Sequence, residues 1–271
     1  MTRPILAAIC VAVLSVAACG GGSRPTTPTS PAPIPAADAC GALGSLAGSS
    51  ISIYSGAECS AERSPVVKLN MRTSAGTGAI GLGSCSGTIV GPRAVLTAAH
   101  CLDDAELGLV RVWLGDLTPE YVARSFAFYP GFVFSESGYD VGVVMLAQDL
   151  PRTPVPILTS RQGRVGEAAI IAGFGRTENS ETSALRAGST TVSNVSATYI
   201  QSLFAPPSSS ICAGDSGGPL FLNEGGAWII AGISSATTGS ACNEGSNFYQ
   251  AVVHPSVLDF ILRHVPAIAR R

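Results

Sequence analysis

A serine set among glycines, Gly214-Asp215-Ser216-Gly217-Gly218-Pro219, constrains this chain more than any other stretch. The pattern G-x-S-x-G also marks the nucleophile elbow, in which the serine runs straight into a helix. Here Pro219 stands three residues after the serine, and Phe221-Leu222 continues as an extended apolar run. An elbow further needs its acid and its histidine after the serine. His254 would serve, but Thr97-Ala98-Ala99-His100-Cys101 would then have no purpose. A strand is therefore expected after Ser216, and its partners are sought upstream.

Two upstream segments qualify: the pentapeptide around His100, and Asp140-Val141-Gly142-Val143-Val144-Met145-Leu146. A serine hydroxyl is a weak nucleophile at neutral pH. It needs a base within hydrogen-bond reach, and the base needs an orienting group. The order of histidine, aspartate and serine along the chain differs between unrelated folds, so the order carries information. Of three histidines, His254 and His264 lie in or beside the last helical pattern, outside any motif, and are expected at the surface.

The body of the chain reads as short strands. Val66-Val67-Lys68-Leu69-Asn70-Met71, Val110-Arg111-Val112-Trp113-Leu114 and Ala168-Ala169-Ile170-Ile171-Ala172 are strand-like. Turn signals separate such runs, at Gly76-Thr77-Gly78, Tyr129-Pro130-Gly131 and Pro206-Pro207. With 31 glycines, 18 prolines and only 13% charged residues, the composition suits a turn-rich β protein, closed as a barrel or sandwich. One helix is expected near the end, with Val257, Leu258, Ile261 and Leu262 at helical spacing after Pro255. A net charge of −2 without any basic block argues against a nucleic-acid partner.

Residues 1–18 read as a secretory signal, with Arg3 before an apolar run from Ile5 to Val16. Leu14-Ser15-Val16-Ala17-Ala18-Cys19 resembles a bacterial lipobox, which implies lipidation of Cys19; an ordinary signal is the plainer alternative. Residues 19–39 are dominated by Gly, Ser, Thr and Pro and form a tether that cannot bury a core. Of eight cysteines, Cys10 leaves with the signal and Cys19 with the lipid. Cys40, Cys59, Cys85, Cys101, Cys212 and Cys242 remain, an even set that suits disulfides in an exported chain. Six cysteines can pair in fifteen ways, so the sequence leaves the pairing open. A zinc site is a poor alternative, because none of the six sit two to four apart.

Taken together, the motifs around His100, Asp140 and Ser216 resemble the chymotrypsin-like serine proteases. Cys85-Ser86-Gly87-Thr88-Ile89, Gly173-Phe174-Gly175 and the run from Trp228 to Ser235 extend the likeness from about Ile53 to Val265. The resemblance implies an all-β fold of two antiparallel six-stranded barrels with a C-terminal α-helix and the site in the cleft between them. It implies His100 as base, Asp140 as its orienting acid and Ser216 as nucleophile, with the N–H groups of Gly214 and Ser216 as oxyanion hole. It implies the disulfides Cys85–Cys101 and Cys212–Cys242, which leaves Cys40 and Cys59 to each other. It implies no metal or organic cofactor, and no acidic calcium loop stands between Ala105 and Glu120.

The same resemblance places Ser210, Ile211, Ser235, Ala236, Thr237 and Asn247 at the substrate pocket. Ser210 stands where a basic-specific enzyme has an aspartate, and Thr237 and Asn247 add bulk to the walls, so small or medium apolar residues are expected before the cut bond. Ile53-Tyr54-Ser55-Gly56 resembles a mature N-terminus, which makes residues 40–52 a short propeptide, 53–271 the protease domain, and Ile53 with Asp215 an activation pair. The departures are Tyr54, Ser55 and a non-basic Ser52. The expected protein is a monomeric, exported endopeptidase acting on proteins or peptides. It meets membrane only through its lipid, at the bacterial envelope (the outer membrane where there is one), unless released. The alternatives are an inactive homologue acting as a surface binding module and an envelope structural lipoprotein.

Overall fold

The computed structural model describes residues 39–41, 47–51, 53–74, 80–116, 119–133, 138–177 and 184–271, with the backbone alone for 47–51. The signal, Cys19, the tether up to residue 38, Ser52 and the Gly76–Gly78 turn lie outside the described residues.

Six strands close the first barrel: β3 (Val66–Ser74), β4 (Ile80–Gly91), β5 (Ala94–Thr97), β8 (Gly142–Leu146), β7 (Tyr121–Phe128) and β6 (Leu107–Trp113), in that spatial order. The second barrel runs β10 (Arg186–Val195), β11 (Tyr199–Leu203), β14 (Ser246–Ala251), β13 (Ala227–Thr237), β12 (Pro219–Glu224) and β9 (Ala168–Gly173), and closes through the β10–β9 pair. Every named pair is antiparallel. This is the chymotrypsin-like architecture that the motifs imply.

The strands follow their sequence patterns. In β3, Val67, Leu69 and Met71 point inward while Lys68 and Asn70 are only partly covered. That alternation has the two-residue period of a pleated strand. By contrast, β9 is buried on both faces apart from its first residue, because one face fills the barrel and the other meets β3 of its neighbour. Burying side chains such as Leu69, Phe174 and Ile170 stabilises the fold by about 1.5–3 kcal/mol each.

The helix α1 (Pro255–His264) begins on proline, whose missing N–H is no loss at a first helical position. Val257, Phe260 and Ile261 bury against the first barrel, although the helix follows the second in sequence. The chain end then returns to Ile157, whose N–H donates to Ala269 and whose carbonyl accepts from Arg271.

Upstream of Ile53 the structure adds something that periodicity did not reveal. Residues Ala47–Ile51 form β1, which pairs with β2 (Ala57–Cys59), and β2 joins β10 at the edge of the second barrel. Cys40 is bonded to Cys59 across this addition, with Cα atoms 5.5 Å apart. Cys85–Cys101 and Cys212–Cys242 are the other two bridges, so the pairing set agrees with the expected one.

Candidate active site

The register of one strand pair brings the histidine and the aspartate together. Thr97 at the end of β5 lies opposite Gly142 at the start of β8. His100 sits in the 3-10 turn Ala99–Cys101 just after β5, and Asp140 just before β8. Both side chains therefore hang from the same end of adjacent strands. His100 Nδ1 lies 2.8 Å from Asp140 Oδ2, and the His100 backbone N–H donates to Oδ1 at 3.0 Å.

Asp140 is fully buried, and its surroundings compensate for that burial. Ser235 Oγ on β13 donates to Oδ2 at 2.5 Å. The Asp140 N–H donates to Gln250 Oε1 at 2.9 Å, and Gln250 Nε2 donates to the Thr198 carbonyl. A buried carboxylate without such donors would carry a large desolvation cost. Ser235, which the resemblance places at the substrate pocket, thus stands behind the aspartate. No motif marks Gln250; its signal is an amide within the apolar run Phe248-Tyr249-Gln250-Ala251-Val252-Val253.

Ser216 comes from the second barrel, in the turn before β12, and lines the same cleft of about 420 Å³ as His100. The first barrel holds that turn directly. The Ser86 N–H donates to the Ser216 carbonyl at 2.8 Å, Ser86 Oγ donates to the Gly214 carbonyl at 2.9 Å, and the Phe174 N–H donates to Ser86 Oγ at 2.9 Å. The disulfide sulfur of Cys101 lies 3.8 Å from the Ser216 carbonyl oxygen. Ser86 is thus a joint between the halves that the motif reading passed over.

Gly214 has φ of +98°, a conformation that side chains strain to adopt. In this conformation neither the Gly214 nor the Ser216 N–H donates to an acceptor among the described residues. Two backbone donors beside a serine hydroxyl can receive a developing oxyanion. A histidine oriented by a carboxylate can take the proton of a nearby hydroxyl.

Asp215 points away from the cleft into the protein. Its Oδ1 accepts the Gly175 N–H at 2.8 Å and its Oδ2 the Cys212 N–H at 2.9 Å. Burial pushes its carboxyl up to about 6, against the lowering influence of those two donors and of the Arg186 charge. Ile53 is buried in the second barrel's core, and Tyr54 bridges to Ser210. The described hydrogen bonds to Asp215 come from Gly175 and Cys212, and in the continuous chain the Ile53 nitrogen is a peptide N–H rather than an ammonium.

The expected pocket residues divide. Ser210 Oγ donates to Asn247 Oδ1 at 3.0 Å, Asn247 Nδ2 to Ser202 Oγ at 3.2 Å, and Ser202 Oγ lies 3.2 Å from the Tyr249 hydroxyl. This chain is buried and carries no charge at neutral pH, since burial pushes the Tyr249 phenol far up. Asn247 is therefore tied to Ser210. Ile211 is buried, Ala236 is half-buried, and Thr237 is exposed opposite Asn247.

His254 and His264 are half-buried rather than at the surface. Their rings pack on Tyr139 and Phe260, with centroids 4.6 Å apart in each case. An imidazole stacked on an aromatic ring is covered whether or not it belongs to a motif, and burial lowers the His254 pKa. Cys85, His100 and Cys101 lie close enough to share an ion, but the two sulfurs are joined to each other and offer no thiolate.

Residues 53–261 match the model of the Trypsin family. A chymotrypsin of Phaedon cochleariae is 27% identical over 164 residues, which cover 52% of this chain and 59% of that protein. CLIP domain-containing serine protease B9 of Anopheles gambiae is 29% identical over 197 residues, 56% of this chain and 49% of its own. Vitamin K-dependent protein C of Oryctolagus cuniculus is 25% identical over 224 residues, 67% and 46%. The chain thus spans about half the length of the curated relatives it matches. The solved structure of HL collagenase shares the fold, with a TM-score of 0.60 at 20% identity over 73% of this chain and 93% of that one.

Proposed function

This chain belongs to the trypsin family, and on that premise we propose that it is an active serine endopeptidase. The observation that carries the reading is the buried Asp140 carboxylate against His100 Nδ1, with Ser216 lining the same cleft. Ser216 Oγ attacks the scissile carbonyl while His100 takes its proton. Asp140 holds the imidazole tautomer and stabilises the imidazolium. The Gly214 and Ser216 N–H groups receive the oxyanion, where loss of one donor typically costs ~10²–10³ in rate. His100 then returns the proton to the leaving amine, and water releases the acyl group.

The uncharged chain from Ser210 through Asn247 to Ser202 supports a preference for small or medium apolar residues before the cut bond. Three disulfides support residence in an oxidising compartment. In this reading residues 1–18 direct export, Cys19 carries the lipid, residues 19–39 are the tether, and the envelope-anchored enzyme works as a monomer. Cleavage before Ile53 leaves residues 40–52 attached through Cys40–Cys59.

Labelling with a fluorophosphonate probe tests the reading. The full-length protein should react, and Ser216→Ala should not. A wild-type protein that stays unlabelled, cut or uncut, points instead to an inactive homologue. A peptide-library profile of the labelled species then reads the specificity.

A further inference from the structure

Arg186 is the least satisfied charged group in the described interior. It is 6% exposed, and its Nε and Nη1 are buried with no hydrogen-bond partner among the described residues. Its nearest carboxylate, Glu58, is 3.8 Å from Nη2 and half-exposed. A buried guanidinium so loosely partnered is costly to fold unless it serves another anion.

The strand register shows which anion. Arg186 on β10 lies directly opposite Gly173 on β9. Residues directly opposite in an antiparallel pair send their side chains to the same face. A side chain at Gly173 would collide with Asp215 Oδ1, so that face is where the Asp215 carboxylate lies. The missing side chain of Gly173 leaves the space between guanidinium and carboxylate open. Each Asp215 oxygen already accepts one backbone N–H and has a lone pair left.

We propose that Arg186 is the built-in counter-cation of Asp215, a positioning residue that keeps the Gly214–Ser216 loop formed while the chain is still continuous from residue 52 to Ile53. The backbone of the continuous chain agrees. Ile53 is already buried in the core, Gly214 already has its positive φ, and Asp215 already holds Gly175 and Cys212. Cleavage before Ile53 would add a second cation to a loop that already has one. The uncut protein is therefore expected to be reactive.

The inference rests on the reading of Ser216 as the nucleophile, and its test separates the two. Full-length protein is verified as uncut by its mass under reducing conditions, then labelled with a fluorophosphonate. A second version, with a site for a sequence-specific protease in place of residues 49–52, supplies the cut form. Uncut wild type should label within about tenfold of the cut form. Arg186→Gln should slow labelling of the uncut chain about tenfold or more and of the cut chain less than about threefold. Arg186→Lys, which keeps the charge, should retain the uncut rate, and Glu58→Gln should leave it unchanged. Cut protein that labels while uncut wild type does not would overturn the proposal. So would an uncut Arg186→Gln that labels like wild type, or equal losses in both forms that lysine does not rescue. If neither wild-type form labels, the endopeptidase reading fails first.

Discussion

The backbone N–H of Ser86 in the first barrel donates to the backbone carbonyl of Ser216 in the second, at 2.8 Å. The serine turn is therefore held from across the cleft as well as by its own barrel. The Ser86 side chain adds a second grip, because its hydroxyl sits between the Phe174 N–H and the Gly214 carbonyl.

Ser86→Ala should therefore do two things. It leaves the buried Phe174 N–H and the part-buried Gly214 carbonyl without that partner, for a stability loss of about 2 kcal/mol in denaturant unfolding. It also frees the Gly214 carbonyl, so the labelling rate at Ser216 should fall severalfold at temperatures where the variant is fully folded. An unchanged rate would mean that the grip on the backbone N–H suffices.

Asp215 sets a pH dependence with a definite sign. Burial raises its carboxyl from the usual 3.8 to about 6 in the folded protein. The folded state then binds the proton more tightly than the unfolded state, so this group favours folding at low pH. That contribution is fully present below about pH 4 and is lost as pH rises through about 6. The whole effect is of order 3 kcal/mol. Asp215→Asn removes it. Unfolding free energies of wild type and variant, measured from pH 4 to pH 7.5, should shift in the variant's favour with rising pH by that order. A constant difference would refute the assignment.

The Cys40–Cys59 bridge should be worth about 2–4 kcal/mol. The double change of Cys40 and Cys59 to serine lowers the denaturation midpoint accordingly. In protein cut before Ile53, non-reducing electrophoresis should show one band. Reduction should release the upstream piece, and the serine variant should lose that piece without reduction.

Asn247→Gly tests the pocket. Removing the amide bonded to Ser210 opens space beside that hydroxyl. The ratio of kcat/KM for peptides with Phe or Leu before the cut bond, relative to Ala, should rise about tenfold or more. A ratio that does not move places the selectivity elsewhere.

The fold class was readable in the sequence, and His100, Asp140 and Ser216 stood out in it, because each leaves a local mark. Ser216 needs glycines beside it, the histidine turn follows a short apolar strand, and strands such as β3 alternate at a fixed period. Cross-strand partnerships leave no such mark. Ser86 read as part of a landmark, and only its hydrogen bonds to Ser216, Gly214 and Phe174 show that it joins the barrels. Gln250, Arg186 and the added strand β1 depend on which residue lies opposite which, and one chain read alone does not state that. The cover over His254 is of the same kind, because Tyr139 is distant in sequence, whereas His264 is covered by Phe260 one turn earlier on its own helix.

The bridge between Cys40 and Cys59 also decides where mechanical load travels. Tension applied upstream of residue 40 passes through sulfur to β2 and so to the edge of the second barrel. The covalent loop closed by this bridge contains β1 and the peptide bond before Ile53. A pull applied before residue 40 therefore bypasses both, and severing that peptide bond leaves the two pieces joined through sulfur.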